Sequence, residues 1–426
     1  LTKSPTIVHG NALRIDWNDV VPAAKLSYIL GNPPFLGKQQ QDAQQKQDME
    51  ALFGGIKGAG VLDFVCAWYL KTARYINELP VDARNRIRCA FVSTNSVAQG
   101  EQVGILWGEL RRLGMHINFA HRTFTWSNEA RGKAAVHCVI VGFGAEDIQP
   151  KRLFDYPNPK SEPHELGPAN INPYLVDAPF VVLGNRSSAI SDVPPIVFGS
   201  MPNDGGNLLL SEVERADLMR LEPDGARWIM PFLGAEEFIN GGSRWCLWLA
   251  GITPSQLKSL PEISKRVAAV KALREASTRA TTRELAAYPT LFGEVRQPTK
   301  PYILVPRHSS EGRAFIPLGF VQPDVICGDS NMLVPDASKA HFGLMQSTMH
   351  MAWVRAVCGR LKSDFRYSAG IVYNNFPWPE ISDDKHRTAI EAAAQGVLDA
   401  RGRFPDATLA DLYDPLTMPP ALVKAH

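Results

Sequence analysis

YILGNPPFLG, residues 28–37, is the stretch on which the reading of this chain turns. An apolar run, Tyr28-Ile29-Leu30, passes through Gly31 into Asn32, two prolines and Phe35. Two consecutive prolines remove two backbone donors and fix φ near −65°, so neither a helix nor a ladder continues through them. The stretch therefore reads as a strand that ends in a stiff, non-repetitive loop. That loop holds one amide and one aromatic ring in place.

Working outward, residues 1 to about 145 alternate strand-like and helix-like segments. TIVHG (6–10) and SYILG (27–31) are strand-like, and LDFVCAWYLKTARYINEL (62–79) is an amphipathic helix. RIRCAFVST (86–94) reads as a strand, VGILWGELRRLG (103–114) as a helix, and INFAHRTF and AAVHCVIVGFG as two further strands. Such alternation predicts a mostly parallel sheet with helices on its faces. The last two strands lack an intervening helix and fit an antiparallel hairpin at one edge. From 146 to 200 the chain turns Pro- and Asn-rich, a boundary signal. Short strands and helices then mix up to about 335. Beyond it the helical stretches KAHFGLMQSTMHMAWVRAVCGRL and DDKHRTAIEAAAQGVLDARGRF flank the loop YNNFPWPEI. The expected domains are 1–148, 149–335 and 336–426.

Composition excludes several classes. At 426 residues, with 45% apolar and 21% charged residues, the chain can build two or three ordinary cores and has no run of membrane-spanning length. The six cysteines form no Cys-x-x-Cys pair, which argues against a zinc site or disulfide scaffold and for a reducing, cytoplasmic setting. The opening LTKSPTIVHGN lacks Met and signal-peptide character, so the chain reads as part of something longer. Net charge is only +2, but between Lys258 and Arg313 eleven Lys or Arg face five Glu and no Asp. That segment fits either a nucleic-acid footprint or a solvated helix face. His9, His116, His121 and His137 lack ligand spacing and read as structural, with no metal site expected. Met345, Met349 and Met351 read as core packing.

The stiff amide has a chemical use. An exocyclic amino group on a heteroaromatic base is a poor nucleophile because its lone pair is delocalised into the ring. Two hydrogen bonds accepted from it, by the Asn32 side-chain oxygen and the Pro33 carbonyl, draw the nitrogen toward tetrahedral geometry. Phe35 can stack on the base, and Pro34 completes the rigid backbone, so the geometry exists before the base arrives. A base in a duplex reaches such a pocket only when flipped out.

Asn32-Pro33-Pro34-Phe35 at a strand end resembles the catalytic motif of S-adenosylmethionine-dependent amino-methyltransferases in its N6-adenine version. More widely, LFGGIKGAGVLDFVCAWYL, FTWSNEARGKAAVHCVIVGF, FLGAEEFINGGSRWCLWL and LKSDFRYSAGIVYNNFPWP resemble the bacterial restriction-modification polypeptides of the MmeI type (type IIG/IIL), over nearly the whole chain. The resemblance implies an α/β fold: a partial Rossmann-like class I methyltransferase sheet, then a mixed α+β target-recognition domain and a helical C-terminal region. It implies an adenine-N6 DNA methyltransferase acting on double-stranded DNA, with no membrane association. HGNALRIDW (9–17) stands where such enzymes place a strand end that meets the cofactor, so Asn11, Ala12 and Asn32 are the expected cofactor-binding residues. Asn11 departs from the Asp often found there. Phe124 is the first choice for a second ring beside the flipped base and Trp126 the second; ordinary core aromatics are the alternative.

A Phe-x-Gly-x-Gly-like loop for the methionine end of S-adenosylmethionine is not found. GGIKGAG (54–60) follows a helix-like segment rather than a strand, and the loop is expected upstream of Leu1 together with further methyltransferase and nuclease segments. In PYILVPRHSSEGRAFIPLGF (301–320), two short strands flank a polar turn bearing Arg307, His308, Glu311 and Arg313, a candidate for reading bases. A surface ion pair is the alternative. Competing functions are a DNA-binding specificity fragment without activity, and an RNA or protein-glutamine amino-methyltransferase.

Overall fold

The computed structural model describes residues 5–126, 136–361 and 363–426. It divides into two compact units, Leu1–Arg186 with Ala356–Ser363, and Ser187–Arg355 with Asp364–His426.

The first unit is built on a six-stranded mixed sheet of β1 (Tyr28–Gly31), β2 (Arg88–Thr94), β3 (His116–Trp126), β4 (Val136–Gly144), β5 (Arg152–Asp155) and β6 (His164–Leu166), in the order β1-β2-β4-β3-β5-β6. β1 runs parallel to β2, with Tyr28 opposite Arg88 and Gly31 opposite Phe91. β4 lies antiparallel between β2 and β3. The β3–β4 hairpin is therefore inside the sheet rather than at its edge, because β5 adds in parallel to β3 and β6 follows. The Pro- and Asn-rich stretch hid these two short strands, since neither alternates apolar with polar side chains.

Strand β2 shows how sequence becomes packing. Its residues alternate between half-buried and buried, as a strand between two layers requires. Phe91 meets Tyr69 and Phe143, and Tyr69 also meets Trp107, in a buried aromatic core shared with the Cys66–Asn77 and Glu101–Arg112 helices. TIVHG does not form the expected strand. It has no laddered neighbour among the described residues, and Ile7 is 85% exposed.

The second unit holds two four-stranded sheets. One joins Ile326–Cys327, Ile229–Leu233, Trp245–Leu247 and Leu209–Leu210; the other joins Gly319–Val321, Tyr302–Pro306, Asn331–Pro335 and Val197–Phe198. The basic segment is only partly spent inside this unit, and most of its cations are exposed. On the Pro261–Glu275 helix, Arg274 is fully buried and donates to five carbonyls, of Pro202, Asn203, Leu285, Tyr288 and Leu291. Arg266 bonds Glu214, and Lys265 bonds Glu262. The solvated-helix reading fits these residues better than a continuous nucleic-acid footprint. Met345 and Met351 are buried as expected, whereas Met349 is 71% exposed and is no part of the core.

The loop YNNFPWPEI closes over two buried histidines. His341 Nε2 lies 2.7 Å from the Tyr373 hydroxyl, and His350 Nε2 lies 2.9 Å from that of Tyr367. Trp378 stacks on both imidazoles. Burial pushes His341 down to about 4 and His350 to about 3. Both folded values lie below the unfolded value near 6.5, so between those limits the unfolded chain binds more protons. The stability contributed by the neutral rings is full above about pH 6.5 and falls as pH drops toward 4. Denaturant melts followed through tryptophan fluorescence are expected to show this slope, shallower in the variant combining His341→Gln with His350→Gln. Equal slopes in the two proteins would remove the histidines as its source.

Candidate active site and recognition turn

Asn32 follows β1 directly, at the carboxyl end of a parallel strand, where ligands of open α/β sheets bind. Gly31 permits the approach. A Cβ there would lie 3.1 Å from Cε1 of Phe91, tighter than side chains ordinarily pack. Pro33 is buried, Phe35 is half-buried, and Asn32 and Pro34 are exposed. The Asn32 amide has no intramolecular partner among the described residues and is available to a ligand. The loop is tied at its far end, where Leu36 N–H donates to Asp63 Oδ1 (3.2 Å) and the Leu36 carbonyl accepts from Phe64 N–H (2.9 Å).

The expected cofactor residues Asn11 and Ala12 lie in a turn rather than at a strand end. Asn11 Nδ2 donates to Asp48 (2.8 Å), and Asn11 Oδ1 accepts from Leu13 N–H (2.9 Å). Lys71 closes the turn by donating to the carbonyls of Ala12, Leu13 and Ile15 at 2.9, 2.9 and 2.6 Å. Burial lowers the Lys71 ammonium from its ordinary range. Asp48 and Lys71 were not singled out from the sequence. Their signal is a charged residue on the inner face of a helix, visible only once the packing is known.

A cavity of about 540 Å³ connects these parts. Gly10, Ala12, Trp17, Asn32, Pro33 and Pro34 line it, so one of the two expected cofactor residues of the turn, Ala12, shares the cavity with the Asn-Pro-Pro loop. Asn11 is not in the lining; it holds the turn from behind through Asp48.

Phe124 and Trp126 stand on β3, their ring centroids 6.1 Å apart. Neither lines that cavity. Phe124 pairs with Cys138 on β4, which pairs in turn with Thr94 at the carboxyl end of β2, so the register puts Phe124 at the same end of the sheet as Asn32. Phe124 already stacks on Tyr156 at 5.4 Å, while Trp126 is 40% exposed. Trp126 is thus the more exposed of the two rings. The loop 127–135 lies outside the described residues.

In the second unit the four candidate DNA-reading residues occupy different settings. Tyr302–Pro306 does pair antiparallel with Gly319–Val321, but the connection is not a single tight turn. His308–Ser309 forms its own short ladder with Asp364–Arg366. Arg307 is anchored, donating to the Asp329 carbonyl (2.9 Å) and lying over Phe198. His308 is half-buried in the ladder, and burial together with Arg307 and Arg366 lowers its pKa. Glu311 is exposed, and Arg313 is half-buried with a 3.4 Å contact to the Ser309 hydroxyl. Glu311 and Arg313 make no ion pair with each other among those found. The chain beyond the turn is held firmly: Gln346 bonds the Ile316 carbonyl, Arg355 that of Ala314 and Arg401 that of Leu318, while Phe315 stacks on His426 at 4.0 Å.

The chain also matches known proteins along its length. The family models for the MmeI DNA-methyltransferase domain, target recognition domain and C-terminal domain match residues 1–155, 177–380 and 381–426. The chain is 43% identical over 420 residues to DNA methyltransferase A of Bacillus subtilis (strain 168), covering 98% of this chain and 46% of that protein. It superposes on the type IIL restriction-modification enzyme MmeI, solved in complex with DNA, with a TM-score of 0.93 and 47% identity, over 100% of this chain and 56% of that one. The chain thus spans about half the length of the relatives it matches. With all three domain models in order and that superposition along its whole length, the chain belongs to the MmeI family.

Proposed function

We propose that this chain is the DNA adenine-N6 methyltransferase and target-recognition portion of a cytoplasmic restriction-modification polypeptide. The observation that carries the proposal is the exposed, unpartnered Asn32 amide beside a buried Pro33 at the carboxyl end of β1. That arrangement accepts two hydrogen bonds from an amino group on a flipped adenine, with Phe35 against the base. The membership in the MmeI family supports it. No helix among the described residues is long and apolar enough to cross a membrane.

S-adenosylmethionine brings to such a site a methyl group on a positively charged sulfur. The residues present fit its adenosine end: a cavity lined by Gly10, Ala12, Trp17 and Asn32. Gly54 to Gly60 does not serve the methionine end, since Gly54 terminates the Ala43–Phe53 helix and the run follows no strand. Among the described residues β1 is paired on one side only, with Tyr28 68% and Leu30 72% exposed. Further strands of the same polypeptide, carrying that loop, and a nuclease segment are the partners assigned to this portion beside double-stranded DNA.

In the polypeptide at its full encoded length, Asn32→Ala is expected to abolish methylation while DNA affinity stays nearly unchanged, because the amide acts on the reacting nitrogen and not on the DNA backbone. Methylation assays paired with gel-shift titrations check this, and undiminished methylation takes Asn32 out of the site. Trp126→Ala is expected to weaken base holding by roughly 1–3 kcal/mol, the worth of one stacked base. The same assays on Phe124→Ala decide which ring matters more; a larger loss there supports the order expected from sequence.

Glu311 and Arg313 are assigned to base reading, since Arg can donate twice to guanine and Glu can accept from cytosine. Exchanging the two residues together is expected to change the preferred base at one position of the methylated site, at a cost of about 1–3 kcal/mol for the original sequence. Sequencing of methylated sites reads the outcome directly. An unchanged site with uniformly weaker binding points instead to phosphate contacts.

A further inference from the structure

Asp63 is a buried carboxylate, 5% exposed, in the turn entering the Cys66–Asn77 helix. Its Oδ1 accepts from the N–H groups of Leu36 and Val65, both at 3.2 Å. Its Oδ2 accepts from the hydroxyl of Thr94, the last residue of β2, also at 3.2 Å. Its own N–H donates to Gln102 at 2.8 Å. Around it, Gln41 Nε2 bridges the carbonyls of Leu36 (3.2 Å) and Leu62 (3.1 Å). Leu36 is thus gripped at both its N–H and its carbonyl.

The two prolines make the Asn32–Phe35 loop stiff, but stiffness alone does not place it. Gly31, the last residue of the β1–β2 ladder, holds only the near end, and a rigid segment held at one end swings as a unit. The far end needs an anchor that refers back to the sheet. Asp63 supplies one, because the same carboxylate holds Leu36 and the end of the strand beside β1.

We propose that Asp63 is a positioning residue for Asn32: it ties the far end of the Asn-Pro-Pro-Phe loop to the carboxyl end of β2 and so sets the direction of the amide and of the Phe35 ring. The inference rests on the reading of Asn32 as the acceptor of the base's amino group. Displacements near 1 Å in a reacting group can cost about a hundredfold in rate. A buried carboxylate without a cation is tolerated only when donors surround it, as they do here. Burial raises its proton affinity, and the N–H and hydroxyl donors oppose that rise.

The test compares Asp63→Ala, Asp63→Asn and Asn32→Ala in the polypeptide at its full encoded length, well below each protein's melting temperature. Rates are expressed per DNA-bound enzyme at saturating S-adenosylmethionine. Asp63→Ala is expected to lower kcat at least about tenfold, with DNA affinity and KM for S-adenosylmethionine within about twofold. Asp63→Asn keeps the Oδ1 acceptor and is expected to restore kcat to within about threefold. A purely structural role lowers the melting temperature and the bound fraction and leaves kcat per bound enzyme unchanged, and that result overturns the proposal. If Asp63→Ala does not fold, Thr94→Val, which removes the hydroxyl that joins Asp63 to the end of β2, takes the same criterion. Full activity in Asn32→Ala removes the underlying reading; loss there with full activity in Asp63→Ala removes this inference alone.

Discussion

The parallel ladder between β1 and β2, only four residues long, fixes where the chemistry of the first unit can occur. It sets Gly31 opposite Phe91, and the missing Cβ lets the backbone pass the ring more closely than side chains ordinarily pack. Everything beyond that point is forced outward by Pro33 and Pro34, which cannot extend the ladder. Asn32 is left exposed at the strand's carboxyl end. Phe91 is in turn held by Tyr69 and Phe143, so the buried core sets the height of the loop. The site is thus a consequence of packing beneath it, with the amide as the exposed end of a rigid stack.

The second unit separates its firmly held strands from the turn proposed to read bases in a similar way. Carbonyls at Ala314, Ile316 and Leu318 are held by Arg355, Gln346 and Arg401, while Glu311 stays exposed just before them. Residues at such a turn can change without disturbing the strands that carry it, as a surface that must distinguish sequences requires. The buried Arg274 serves the opposite end of the scale. Its five carbonyl contacts knit loops that have no sheet between them, and its charge does no recognition.

Much of the first unit was legible in the sequence because its signals are local. β1, β2, the Cys66–Asn77 helix and the Asn-Pro-Pro-Phe loop each announce themselves through periodicity or proline within about ten residues. The family resemblance was legible for the same reason and is matched along the chain. What stayed hidden is non-local. TIVHG has strand composition but no laddered neighbour, and β5 and β6 are too short to show alternation. The Asn11 turn depends on Asp48 and Lys71, dozens of residues away. The pairing of His308 with Arg366 could not be inferred from the 301–320 stretch, whose two flanking strands suggested a simple hairpin. The stacking of Phe124 on Tyr156, 32 residues away, was likewise hidden.

The most direct measurement is the chemical identity of the product. Duplex DNA is incubated with the polypeptide at its full encoded length and S-adenosylmethionine, digested to nucleosides, and analysed by mass spectrometry. The account predicts N6-methyladenine as the modified nucleoside, absent when Asn32 is replaced. A methyl group found on cytosine, or N6-methyladenine formed equally well without the Asn32 amide, would contradict it.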